Sequence, residues 1–193
     1  MDDLKAILVM DLQRDFLEPG GRLPVAPHQV DALVRTAYAV VEDAARRGIP
    51  VIYVLNDFPR RDFVANIFRR WAALSGSRGA ELDPRVRVEG DLRVLKHAAN
   101  AFTNPELDRQ LQELGVKHVV ILGVFAPACV RATAQGALRK GYRVTVVRDG
   151  VAAGSDRARD RALRRLSRDG AEIATSAALC RANSSYGTRG CGE

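Results

Sequence analysis

Cysteine is scarce in this chain: Cys129, Cys180 and Cys191 are the only three among 193 residues. An odd number with no Cys-x-x-Cys pair excludes a disulfide scaffold and a zinc ribbon, and it fits a reducing compartment, so a cytoplasmic location is expected. Histidine is as sparse, with His28, His97 and His118 far apart and none at metal-pair spacing. No apolar run approaches the roughly 20 residues of a membrane span. The acidic start, Met1-Asp2-Asp3-Leu4-Lys5, leads straight into a strand pattern and is not read as a signal peptide. Lysine occurs only four times, so arginine supplies 26 of the 30 cations behind a net charge of +7. Those arginines are scattered. The densest stretch, 157–166, places Ala158, Ala162, Leu163 and Leu166 at helical spacing with arginines opposite, which is a solvated amphipathic helix. It has no stacking aromatics, so nucleic acid is not an expected partner, and neither is a membrane.

What is present is ordinary globular composition, 47% hydrophobic and 27% charged. The length matches one domain, read as residues 1–183, with 184–193 as a Gly/Ser-rich tail that makes Cys180 and Cys191 incidental. Short apolar runs mark strands at Ala6–Met10, Val51–Leu55, Arg93–Leu95, His118–Leu122, Arg143–Val147 and Glu172–Ala174. Several are continuously apolar, as strands buried on both faces of a parallel sheet are. Helical patterns lie between them at Pro27–Arg47, Asp62–Leu74, Pro105–Leu114, Ala128–Lys140 and Asp156–Arg168, three stopping at Gly48, Gly115 and Gly141. This alternation predicts an open α/β sheet with helices on both faces. The segment from Asn56 to Leu92 is too long for a simple crossover and holds Phe58, Phe63, Ile67, Phe68 and the single Trp71. Phe63, Ile67, Phe68 and Trp71 share one face of the predicted helix, a packing stripe or a lid over a site. Phe58 and Trp71 are its candidate substrate contacts.

Ligands in open α/β sheets bind beyond the carboxyl ends of the strands, where strand order reverses. The first strand ends in Asp11, the third in Lys96, and the fourth runs through Gly123-Val-Phe-Ala-Pro-Ala to Cys129 in the first turn of a helix. Each alone is weak evidence: a strand-end aspartate is commonly a cap, and a buried free thiol is usually inert packing. Together they place a carboxylate, an ammonium and a thiol at one crevice. A helix N-terminus and a neighbouring cation are expected to lower the thiol pKa. Asp11 can then take and return a proton, and helix-start amides can hold an oxyanion, an apparatus for acyl transfer. His97 is expected on the opposite face from Lys96, and His118 at the far end of its strand.

With Asp11-Leu-Gln-Arg-Asp-Phe16, Lys96…Ala101-Phe102 and Gly123–Asp149 in that order, the chain resembles the isochorismatase-like cysteine hydrolase superfamily, which includes nicotinamidases and N-carbamoylsarcosine amidohydrolases. The likeness runs from about Ala6 to Ala174. It implies a three-layer sandwich whose six-stranded parallel sheet has Rossmann-like order, and a catalytic triad of Asp11, Lys96 and Cys129. It also implies a cis Val124–Phe125 peptide, an oxyanion hole of the Phe125 and Cys129 amides, and Gln13 and Phe16 near the substrate. Homodimers or homotetramers are the implied assembly. Two departures stand out: Ala126 replaces a common threonine, and Asn56-Asp57-Phe58-Pro59 lacks the histidines that hold a metal in nicotinamidases. No metal or other cofactor is therefore expected. The implied activity is hydrolysis of a non-peptide C–N bond in a small amide or carbamoyl compound through a Cys129 thioester. Vinyl-ether cleavage, which does not need the thiol, and a non-catalytic or redox binding role are the alternatives.

Overall fold

The computed structural model describes residues 4–90 and 92–184. Cys191 and all but the first residue of the expected tail lie outside the described residues. Six parallel strands form one sheet: β1 (Lys5–Met10), β2 (Val51–Asn56), β3 (Arg93–Lys96), β4 (His118–Gly123), β5 (Arg143–Val151) and β6 (Glu172–Ala174). Their order is β3-β2-β1-β4-β5-β6. The chain builds outward from β1 on one side, then returns to build outward from β4 on the other. The strand order therefore reverses between β1 and β4, where the loops leaving the two strands diverge and open a crevice.

Alternation along each strand divides the apolar residues between two cores. Ala6, Leu8 and Met10 of β1 join a cluster with Leu107 and Leu111 of α4 (Pro105–Glu113), Ala134 and Ala137 of α5 (Arg131–Arg139), and Leu163 and Leu166 of α6 (Asp156–Arg168). Ile7 and Val9 join the opposite cluster with Leu33, Val40 and Val41 of α2 (Pro27–Arg46) and Leu179 of α7 (Ser176–Ser184). Being central, β1 is buried on both faces, which is why it reads as a continuous apolar run. Helix boundaries follow local chemistry. Pro105 opens α4 while the Asn104 side chain accepts the Glu106 N–H, and the Ser155 side chain accepts the Ala158 N–H at the start of α6. On α6 the residues Ala162, Leu163 and Leu166 face inward, and Arg157, Arg161, Arg164, Arg165 and Arg168 are exposed.

The segment after β2 departs from expectation. Instead of a helix to Leu74, α3 spans only Phe63–Phe68. Arg70, Trp71 and Ala73 have φ of +54°, +61° and +50°, a left-handed backbone that no α-helix continues through. Nor do the aromatics form a packing face: Phe63, Val64, Ile67 and Phe68 are exposed, and half-buried Trp71 meets Phe63 edge-on at 5.5 Å. The strap instead folds back on itself. Phe58 N–H donates to Ala73 C=O, Ser75 N–H donates to Phe58 C=O, and the buried Asp15 carboxylate accepts the Ala73 N–H at 2.8 Å. Two further helices, α1 (Arg14–Leu17) and α7, have no counterpart in the sequence reading.

Candidate active site

Three strand ends converge at the switch point. Asp11 follows β1 with φ +54°, a left-handed turn that aspartate tolerates, and its carboxylate is fully buried. Gly123 ends β4 with φ +124°, and a Cβ there would lie 2.0 Å from the Met10 carbonyl oxygen. Only glycine lets β4 approach β1 so closely, and Val124 N–H then donates to Met10 C=O at 3.0 Å. The Val124–Phe125 peptide is cis. The next turn, Ala126–Val130, is a π-helical turn that leads into α5 and carries Cys129. Fully buried Ala126, standing where a threonine was noted as common, spends its N–H on Ala152 C=O.

Lys96, the last residue of β3, is buried to 1% exposure. Its Nζ lies 3.0 Å from Asp11 Oδ2, 3.4 Å from Cys129 Sγ and 2.6 Å from Asn56 Oδ1. An ammonium has three donors, and each faces a different acceptor. The fourth member, Asn56, sits beside Lys96 in the β2–β3 register at the same strand-end level. Gln13, expected at the substrate, lies beneath it instead. Its side chain donates to Asn56 C=O at 2.7 Å, accepts the Asn56 N–H at 3.0 Å and donates to Ala80 C=O at 2.7 Å, with no exposed surface. Gln13 therefore positions Asn56. Sequence reasoning missed Asn56 as a site residue, although a polar residue ending the apolar run Val51–Leu55 was the available signal.

Burial governs the charges. It pushes the Asp11 carboxyl up from its ordinary value, with the Lys96 ammonium opposing. For Lys96 burial works against the ammonium, but Asp11 and Cys129 outweigh it and the net shift is upward. The Cys129 thiol is pushed up to about 11 by burial and by the Asp11 charge. The expected lowering of the thiol pKa is thus corrected: in the low-dielectric floor, desolvation and a neighbouring carboxylate outweigh the cation. At neutral pH the resting site holds a protonated thiol beside an ammonium.

Cys129 opens onto a cavity of about 200 Å³ lined by Phe16, Asn56, Phe58, Arg69, Ala72 and Ala128, among others. Phe16 and Phe58, the expected substrate contacts, are part of this wall. Phe16 also packs edge-on against Phe125 at 5.5 Å. Trp71 is not among the lining residues and braces α3 instead. Arg60 and Arg61 are exposed and away from the cavity wall. The ring of His97 is exposed, with Nδ1 against the Asp57 carbonyl, and His118 Nε2 pairs with Thr145 Oγ1 at 2.8 Å.

Compared with known proteins, residues 5–178 match the isochorismatase domain family. The chain belongs to that family. A relative in Arabidopsis thaliana named as a probable inactive nicotinamidase is 35% identical over 159 residues, covering 77% of this chain and 80% of that protein. Among solved structures of isochorismatase-like proteins, the N-carbamoylsarcosine amidase of Thermoplasma acidophilum is 34% identical with a TM-score of 0.77, covering 89% of this chain and 96% of that one. The pyrazinamidase of Pyrococcus horikoshii, solved in complex with zinc, is 28% identical with a TM-score of 0.80, covering 89% and 99%. Zinc does not fit the residues of this isochorismatase-family member. The segment 57–92 after β2 offers Asp57 but no histidine, and among the described residues no three His, Cys, Asp or Glu side chains gather.

Proposed function

We propose that this isochorismatase-family hydrolase cleaves a non-peptide C–N bond in a small amide or carbamoyl compound through a thioester on Cys129. The observation that carries the reading is Lys96 Nζ, held at once 3.0 Å from Asp11 Oδ2 and 3.4 Å from Cys129 Sγ. In the proposed cycle Asp11 removes the thiol proton as Sγ attacks the carbonyl carbon. Lys96 stays protonated and holds the two acceptors in register, offsetting whichever carries the negative charge. The carbonyl oxygen gains charge and is stabilised by the Phe125 and Cys129 amides. Asp11 gives its proton to the departing amine as the C–N bond breaks. Water, deprotonated by Asp11, then attacks the thioester, the acid leaves, and the proton returns to Sγ. No step uses a metal, since the donor set does not fit one. A small-molecule substrate and a homodimer or homotetramer belong to the same reading.

The thiol that stays protonated at neutral pH suits this scheme, because the nucleophile forms only when Asp11 takes its proton. The amidase names of two structural neighbours support the bond class, and the lack of histidine in the segment 57–92 sets this chain apart from a metal-dependent nicotinamidase. Screening small amides and ureides for ammonia release, with mass spectrometry for an acyl adduct on Cys129, tests the proposal. Cys129→Ala is expected to lower turnover by at least about 10³-fold, as loss of a covalent nucleophile does. Unchanged turnover in that variant would favour the thiol-independent vinyl-ether chemistry.

A further inference from the structure

The cavity wall carries a cation that the proposed cycle does not use. Arg69 follows α3 directly and lines the same cavity as Cys129. Its Nη1 is buried and has no hydrogen-bond partner, and among the described residues no carboxylate lies within ion-pair distance of its guanidinium. Among the described residues most other buried donors have acceptors, so an idle guanidinium nitrogen on a residue that lines a small cavity needs an explanation. The guanidinium plane is held with Cζ 3.8 Å from the centroid of the Phe58 ring, and Phe58 is itself cavity wall. The backbone behind it is braced: Arg69 N–H donates to Ala65 C=O, Trp71 N–H to Asn66 C=O and Ala72 N–H to Arg69 C=O. The guanidinium is thus preorganised, and no described residue accepts from its Nη1.

The Asn56 amide oxygen and the Cys129 sulfur at the cavity already face a donor. Lys96 faces Asp11, Asn56 and Cys129, and the Asn56 amide oxygen receives the Lys96 ammonium. The rest of the wall is largely apolar, including Phe16, Leu23, Ala72 and Ala128. A cavity of this kind strengthens a charge-assisted pair, and a guanidinium fork matches a carboxylate in two parallel hydrogen bonds.

We propose that Arg69 is a specificity-determining residue that receives a carboxylate of the substrate, so that the compound hydrolysed is a small amide or ureide bearing a carboxylate a few bonds from the scissile C–N bond. The assignment rests on the amidase reading but has its own observable, which is recognition of charge. Two matched pairs serve as probes: N-carbamoylglycine with its neutral isostere isobutylurea, and succinamate with 4-methylpentanamide. In the wild type the carboxylated member of a pair should show the higher kcat/KM. In Arg69→Gln the ratio of carboxylated to neutral kcat/KM should fall by about 10- to 100-fold, with Arg69→Lys between the two. Because each ratio is taken within one protein sample, partial misfolding cancels. Binding of N-carbamoylglycine and succinamate to Cys129→Ala, by calorimetry with and without Arg69→Gln, separates recognition from chemistry. Carboxylate binding that depends on Arg69 but gives no turnover in the wild type supports the anion site and overturns the amidase reading. Turnover with equal ratios in the wild type and Arg69→Gln supports the amidase reading and overturns the anion site.

Discussion

A lysine whose three N–H donors face three different acceptors leaves little room for another cation. Arginine at position 96 keeps the charge, but its planar fork is wider than the gap among Asp11, Asn56 and Cys129. Lys96→Arg should therefore lower kcat by about 10²-fold or more, as small misplacements of catalytic groups do, while the variant keeps its circular dichroism spectrum. The pH profile belongs to the same residues. The proposed cycle requires ionised Asp11 with a protonated thiol. Asp11 is raised above its ordinary 3.8, so the acid limb of kcat/KM should lie above that value, with activity lost as pH falls through it. The alkaline limb should lie near the Cys129 value of about 11, and alkylation of Cys129 should accelerate across the same range. A limb near the free-thiol value of about 8.5 would show that burial does not control the thiol. Asp11, Lys96 and Cys129 could be read from the sequence because each is a reactive group where an apolar strand ends. Asn56 also ends an apolar strand, but its amide is not itself reactive, and its bond to Lys96 exists only once β2 and β3 pair. Arg69 is one of 26 arginines, and nothing in its local sequence reveals that one nitrogen is buried. The thiol shift depends on depth of burial, which spacing does not encode.

At the scale of elements, all six strands were legible because their apolar runs are short and separated by capped helices. The strap after β2 was not. Its aromatics keep helical spacing through Trp71, yet the backbone turns left-handed at Arg70, Trp71 and Ala73, none of which is the glycine that would announce such a turn. What holds Ala73 is a carboxylate from distant Asp15, a tertiary contact that local periodicity cannot report. Gly123 shows the reverse case, a glycine whose purpose appears only in three dimensions. Gly123→Ala combines an unfavourable φ with a Cβ 2.0 Å from a backbone oxygen of the neighbouring strand. It should cost about 3 kcal/mol or more, read as a lower urea midpoint with little change in slope.

For the molecule as a whole, the two-sided core follows from apolar patterning, the order of the strands was implied by the family resemblance, and the arginine-rich outer face of α6 is solvated as its spacing implied. The sheet order also gives the proposed machinery an uneven foundation. Asp11 and Cys129 follow β1 and β4, the two central strands, whereas Lys96 ends β3, an edge strand of four residues with Arg93 and Leu95 exposed. Edge strands open in local fluctuations far smaller than global unfolding, and their amides exchange with solvent sooner. Detachment of β3 would carry the ammonium away from Asp11, Asn56 and Cys129 while most of the core stayed intact. In a urea titration the loss of turnover should therefore precede the loss of helical signal, and hydrogen exchange should be faster at Val94 and Leu95 than at Val9 or Ile121. Coincident curves and equal exchange would mean that β3 belongs to the same cooperative unit as the centre of the sheet. If the curves separate, the protein loses its chemistry by a reversible local opening before it loses its fold.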